Sequence, residues 1–568
     1  MKKALQIALV IFVILIIGCS KENEQKRFNK YLDELFLFFL GDDPLDINNT
    51  LYYPEKYGLE DAKVEPITLS EEGSIEYYQE LESIKATLLS FNNLSIDNIL
   101  TKQIIIDYID RELAFKDFYY YDNYLESHLG YQAQLPIVLA EYRFDDFNDI
   151  LNYFKYLETT QDTFEDLINY EHEKININMG LPDVLINRTI AQCQEFISYE
   201  ENFLIPIFNH KIDKLSFLNN YQKQELKRIH KHLIVNDFIN AYIYLSNELE
   251  KLLGSSNHTG ALANYPHGKE YYEALFQKAT GTNFTIPEAK AYLEDLLETL
   301  LTNYNKEYIV YVTTYTYYDF MKNKKIDDLI PHFTSSMEND FPKLNLTIDY
   351  EIKKIHESMQ ENSAPAMYFI SPIDDNKEEV IYINPLNFNN LSNYTYQTIA
   401  HEGYPGHLYQ NVYLKNTSIP NVRKILFYPG YAEGWATYVE NYVIKYGGGN
   451  QKTQEVFEFY DSINYLVLGL LDIGINYEGW DLKKAKAYLS NYFELTDDEV
   501  QEFYYDLIEN PTNYLQYYFS YYILKDLKVA FRNHLQDEYS DLLFHTIYLE
   551  TGPAPFHILE EIYLNYSP

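Results

Sequence analysis

Cysteine is nearly absent from this chain: Cys19 and Cys193 are the two in 568 residues. With Cys19 placed directly after the N-terminal leader as a candidate for acylation, no intramolecular disulfide is left for the mature fold, so stability must come from packing and bound metal. Basic residues are also scarce, 45 against 85 acidic, for a net charge of −40. Phosphate binding needs a basic face, which removes nucleic acid from the partners to consider. An acidic field of this size serves solubility and repulsion from an anionic envelope, and it could also draw in cationic peptides. Beyond the leader no run of about 20 apolar residues occurs, which excludes a further membrane-spanning helix. There is no internal repeat and no Gly/Ser linker. What remains is a chain that is 46% hydrophobic and carries 59 tyrosines. Such a chain is globular rather than disordered and long enough for a large core. Tyr can bury its ring while its hydroxyl stays wet, so most of the tyrosines read as core and surface filler.

The N-terminus sets the expected compartment. Lys2 and Lys3 form a positive start, and residues 4–17 are an apolar run too short to span a bilayer comfortably. Ile16-Ile17-Gly18-Cys19 then reads as a bacterial lipobox, with Cys19 as the acylated first residue of the mature chain. An ordinary secretory signal with a chance cysteine is the alternative. The expected organisation is a lipoprotein signal peptide over 1–18, a polar tether over 19–30, an N-terminal helical region over 31–255 and a catalytic region over 256–568. The mature protein is expected outside the cytoplasm, held at the cell-envelope membrane by its lipid anchor.

Most of the chain reads as helix. Apolar residues recur at three- and four-residue spacing over 146–178, 187–207, 219–253, 286–322 and 454–473. Residues 342–386 differ. Stretches at 346–350, 365–371 and 379–384 alternate or run β-branched and aromatic, with turn signals at Ser371-Pro372 and Asp374-Asp375-Asn376. A small sheet is expected there. It would either pack the following helix or offer an edge to an extended peptide. The loop over 254–260 is the candidate hinge between the two regions.

The chemistry concentrates in His401-Glu402-Gly403-Tyr404-Pro405-Gly406-His407. Two imidazoles, with a carboxylate directly after the first, are the components of a zinc hydrolase: two nitrogen ligands and a general base beside a polarised water. The spacing is unusual. In His-Glu-x-x-His the imidazoles share one helical face at i and i+4. At i and i+6 an unbroken helix would turn by about 240° net and rise by about 9 Å. Two such side chains could not reach one ion. Pro405 removes an N–H and clashes with the carbonyl of His401, and Gly406 tolerates angles closed to other residues. The sequence therefore predicts a corner at 404–406 that swings His407 back beside His401. A turn on which His407 binds nothing fits the spacing as well.

A second helical stretch, residues 432–440, ends at the glycine stop Gly447-Gly448-Gly449. Glu433 follows His407 by 26 residues, enough chain to present a third ligand from a neighbouring helix. A catalytic zinc takes three protein ligands and an open position. Glu440, about 10.5 Å further along the same face, reads either as a partner for a histidine N–H or as a solvated charge.

The pairing of HEGYPGH with EGWATYVE resembles the bacterial DUF885 family, placed among zincin-like metallopeptidases. Further segments follow in the family's order: Tyr265 to Tyr272, Ala364 to Tyr368, Ile381 to Pro385, Pro511 to Tyr517 and Thr551 to Phe556. Leu408 and Asn513 depart from the usual family residues, a second histidine and a glutamine. The resemblance spans roughly residues 30–568. It implies a mainly α, zincin-like fold with a large helical cleft and a small β-sheet before the metal helix. It also implies a Zn2+ cofactor on His401, His407 and Glu433, with Glu402 as base for peptide-bond hydrolysis. Tyr517, from the family-like segment, is the first candidate for oxyanion donor, and Tyr521, one turn on, the second. His267, His545 and His557 would either contact substrate or be structural, and Lys269 would pair with a substrate carboxylate or simply face solvent. Two rival readings stay open: a zinc hydrolase of a non-peptide amide or ester, and a lipoprotein that binds peptide or metal without turnover.

Overall fold

A computed structural model describes residues 21–127, 129–198, 202–357, 360, 364–388 and 391–567. The expected signal peptide and the Cys19 anchor lie outside the described residues. None of the described helices is long and apolar enough to cross a membrane.

The chain is mostly helical. The helices used below are α1 (Lys21–Leu40), α2 (Phe147–Asn176), α3 (Ile286–Tyr317), α4 (Asn393–Glu402), α5 (His407–Lys415), α6 (Pro429–Tyr442), α7 (Gln451–Asp472), α8 (Asn513–Leu535) and α9 (Asp541–Thr551). Local chemistry fixes their starts. Asp146, Thr285 and Asn450 each cap a helix from the preceding position, with reciprocal bonds from Asp149, Glu288 and Thr453. Each such box satisfies amide groups that the first turn leaves without partners. After α6 the chain ends its last turn on Gly448, at φ +91°, where only glycine is unstrained.

Two sequence expectations shift. The segment expected as a polar tether is helical from Lys21 onward, and Phe28 and Tyr31 are already buried. The expected helix over 187–207 divides into Asp183–Ser198 and Leu204–Lys214. α3 begins where expected but ends at Tyr317 rather than at 322, and it kinks at Glu307. Its far end forms a small separate cluster against α7, made by Tyr311, Val456 and Phe459. One contiguous hydrophobic core takes residues from both sides of position 255. Cys193 is a free thiol inside it.

The sheet has three strands, β1 (Asp349–Lys354), β2 (Ala366–Phe369) and β3 (Glu378–Ile383), in the order β1-β3-β2. β1 runs parallel to β3, and β2 antiparallel to it, with Met367 opposite Tyr382 and Phe369 opposite Val380. The first strand begins three residues later than the sequence pattern suggests. β2 shows the period of a half-buried strand, with Ala366 and Tyr368 buried and Met367 and Phe369 less so. This edge strand lies directly against α4.

Candidate metal centre

α4 ends at Glu402 and α5 begins at His407, and the four residues between them make the corner. The amide of Gly406 returns to the carbonyl of Ala400 at 3.0 Å, and that of Tyr409 to Gly403 at 3.2 Å. The approach leaves no room for a side chain. A Cβ on Gly406 would stand 1.8 Å from the carbonyl oxygen of His401 and 2.4 Å from that of Ala400. The Tyr404–Pro405 peptide is cis. From the neighbouring helix, buried Trp435 donates its indole N–H to the carbonyl of Pro405 at 2.9 Å. That bond satisfies a carbonyl that cannot belong to either helix.

The corner does what the spacing requires. The rings of His401 and His407 lie 4.8 Å apart, nearly perpendicular. Glu433 of α6 points between them, with one carboxylate oxygen 3.4 Å from His401 Nε2 and 3.3 Å from His407 Nε2. The three ligand atoms lie within 4.8 Å of one another. Among the described residues no other group of three or more His, Cys, Asp or Glu side chains gathers this closely. All three are largely but not fully buried. Two imidazoles and one carboxylate suit zinc, and the convergence of their donor atoms on one point fits such an ion.

Glu440 is not a solvated helix charge. Its carboxylate lies 2.8 Å from Nδ1 of His401, so one imidazole bridges two glutamates placed two turns apart on α6. A carboxylate on Nδ1 keeps Nε2 free as the ligand atom. Burial disfavours a charged His401, but Glu440, Glu433 and Glu402 outweigh it and hold that imidazole well above its usual pKa. Burial likewise acts to raise Glu433, yet His407 and His401 hold it well below the carboxylate range. The site is thus an excess of negative charge that a bound cation would offset.

Glu402 is buried, and its carboxylate accepts the backbone N–H of Tyr368 in β2 at 2.7 Å. In an antiparallel pair, successive residues address opposite edges. The Tyr368 N–H goes to Glu402, so Ala366 and Tyr368 face the edge of β2 away from β3.

The two tyrosines of α8 part company. The ring of Tyr517 lies beside that of His401, with centroids 6.2 Å apart. The charge of Glu433, then burial and Glu402, hold its phenol well above the ordinary range, so it remains an O–H donor. Tyr521 is instead fully buried, and beside burial its surroundings are Glu458, Tyr522 and Tyr438. A four-residue step on a helix turns by about 40° beyond a full circle and rises by about 6 Å, which carries Tyr521 past the site. The approach of α8 depends on two glycines of α6. A Cβ on Gly434 would meet Ser520 of that helix at 2.9 Å, and one on Gly430 would stand 2.6 Å from the Ser520 hydroxyl oxygen.

The other candidates lie elsewhere. His267 is exposed beside Glu270. His545 is buried, bonded to Tyr438 and to the carbonyl of Asp340. His557 sits 3.7 Å from Asp107, and Lys269 lies over the Tyr477 ring. Sequence reasoning missed the Trp435 bond, the Tyr368 amide and the α6–α8 glycines. Gly434 and Trp435 stood within the EGW motif, but only Glu433 carried recognisable chemistry.

Residues 56–562 match the family described as "Bacterial protein of unknown function (DUF885)". No curated protein matches the chain. A crystal structure described as the "putative lipoprotein" from Colwellia psychrerythraea superposes with a TM-score of 0.83 at 17% identity, over 96% of this chain and 99% of that one. A second, described as a "putative lipoprotein of unknown function" from Shewanella oneidensis, gives 0.65 at 14% identity, over 96% and 100%. At these identities the likeness is one of fold.

Proposed function

The chain belongs to the DUF885 family, and from that premise we propose that it is a zinc-dependent, zincin-like peptidase acting on small or unfolded peptides. The observation that carries the reading is the convergence of His401, His407 and Glu433 beside the carboxylate of Glu402, which a backbone amide holds in place. A zinc ion on those three ligands would acidify water and offset charge on the substrate oxygen. The chain's own residues supply the rest. Glu402 accepts a proton from the attacking water and delivers it to the leaving amine. The Tyr517 hydroxyl donates to the oxygen that gains negative charge. Glu440 keeps the His401 imidazole in the ligating tautomer. The outward edge of β2 offers the main-chain groups of Ala366 and the carbonyl of Tyr368 to an extended peptide, while the Tyr368 amide stays on Glu402. A pure metal or peptide binder has no use for a carboxylate placed as Glu402 is.

The lipobox at Cys19 supports the reading of an envelope lipoprotein exposed outside the cytoplasm, and both structural neighbours carry the description "putative lipoprotein". The net charge of −40 favours cationic peptides there. The test is a peptide-library digest by the zinc-loaded mature chain and its Glu402→Gln variant. The variant retains zinc and loses turnover by about 10²–10⁴-fold. Equal turnover by the variant removes Glu402 as the base, and cleavage of esters or non-peptide amides in place of peptides overturns the substrate class.

A further inference from the structure

Between the sheet and α5 lies a charged cluster that contributes no ligand. The ammonium of Lys415 is 2.5 Å from Glu379 of β3 and 2.5 Å from the Ser371 hydroxyl. The two charged side chains are only 4% and 1% exposed. Ser371 donates to the other Glu379 oxygen at 2.7 Å, and the Tyr368 hydroxyl donates there too. The amide of that same Tyr368 holds Glu402. Lys415 closes the helix that His407 opens. A single buried network therefore ties α5, β3 and β2 to the carboxylate beside the metal ligands.

Stability does not explain it. Removing two charges from water costs several kcal/mol each, and apolar residues of similar volume often serve a fold equally well. What apolar residues lack is direction. We propose that the Lys415–Glu379 pair is a positioning device for Glu402, acting through Tyr368: it fixes the tyrosine in β2 so that the tyrosine's amide aims the carboxylate at the site. The claim rests on the reading of Glu402 as general base. Lys415 and Glu379 touch neither substrate nor metal; they act through the strand.

The experiment compares the wild type with Tyr368→Phe and with the double variant Glu379→Leu/Lys415→Met. Tyr368→Phe keeps the amide and deletes one hydroxyl. The double variant removes both charges together and leaves no single buried ion. In the zinc-loaded double variant kcat falls about 10–100-fold, the range for lost outer partners of a metal site, while KM and zinc affinity stay within about twofold. Tyr368→Phe changes the same constant in the same direction by less. Hydrogen exchange supplies a reading independent of turnover. The amide of Tyr368 exchanges faster in the double variant and in Glu402→Ala, while those of β3 stay protected. Wild-type kcat in the folded double variant, or an unchanged Tyr368 amide, overturns the proposal. If the double variant does not fold, Tyr368→Phe decides on the same two readings. A wild type that cleaves no peptide sinks the peptidase reading alone, because the exchange result still judges the link from the pair to Glu402.

Discussion

Gly406→Ala tests the corner on which the metal centre depends. The added carbon would sit 1.8 Å from the carbonyl oxygen of His401 and 2.4 Å from that of Ala400, whereas ordinary contact begins at 3.4 Å. Both obstacles are backbone atoms, so neither can rotate away. The corner has to open by about 1.6 Å, the gap between 1.8 and 3.4 Å. Zinc ligands tolerate deviations of only about 0.2 Å, and His407 is the residue directly after the substitution. Strain of this kind costs the fold about 1–3 kcal/mol, which leaves a core this large folded. The metal site suffers more. Losing an outer partner alone weakens metal binding by about 10–100-fold, and displacing a ligand costs at least about 100-fold. The assay is a zinc titration against a competing chromophoric chelator, run well below the unfolding temperature, with circular dichroism to show that the helices persist. Zinc affinity within threefold of wild type in a folded Gly406→Ala protein would refute the claim that close return of this corner builds the site.

Three further outcomes are expected. Glu440→Gln removes the charge from His401 Nδ1, and zinc affinity falls by about 10–100-fold in the same titration; unchanged affinity would return Glu440 to the status of a surface charge. Trp435→Phe keeps the aromatic packing but leaves the Pro405 carbonyl without its donor, so stability drops by about 1–3 kcal/mol in denaturant unfolding and zinc binding weakens with it. His230 is buried, stacked on Phe208 and bonded to Tyr153, and burial pushes its pKa from 6.5 down to about 3. A depressed histidine contributes stability above its unfolded pKa and loses it as pH falls from 6.5 toward 3. His230→Phe therefore unfolds with a pH dependence about 1.4 kcal/mol per pH unit shallower within that window, and identical slopes would show that His230 does not stay neutral there.

Helices with strong periodicity, such as α2 and α7, could be read from the sequence because their patterning and their caps agree. The i, i+6 spacing of His401 and His407 demanded a break, and Pro405 and Gly406 supplied residues that make one, so the corner too was legible. The i, i+6 spacing alone allows a turn that binds nothing; it is Glu433, on a second helix 26 residues after His407, that points to a shared cluster, and the family resemblance adds to it. Other features belong to the tertiary structure. Tyr521 has the same residue type and nearly the same helical face as Tyr517, yet the crossing of α7 and α8 seals it away beside Glu458. Glu440 looked like a charge on a solvated helix, because nothing in one sequence says which helix lies opposite. The Tyr368 amide is a backbone group and leaves no mark on residue identity. The tether misled for a related reason: Lys21 to Arg27 is polar, but a polar stretch can open a helix whose later residues, Phe28 and Tyr31, are buried.

The most direct test is elemental analysis of the purified mature protein after zinc loading and removal of free ion. The account predicts close to one zinc per chain in the wild type and in Glu402→Gln, and almost none in His407→Ala and Glu433→Ala. Full zinc occupancy in His407→Ala, or none in the wild type, would contradict it.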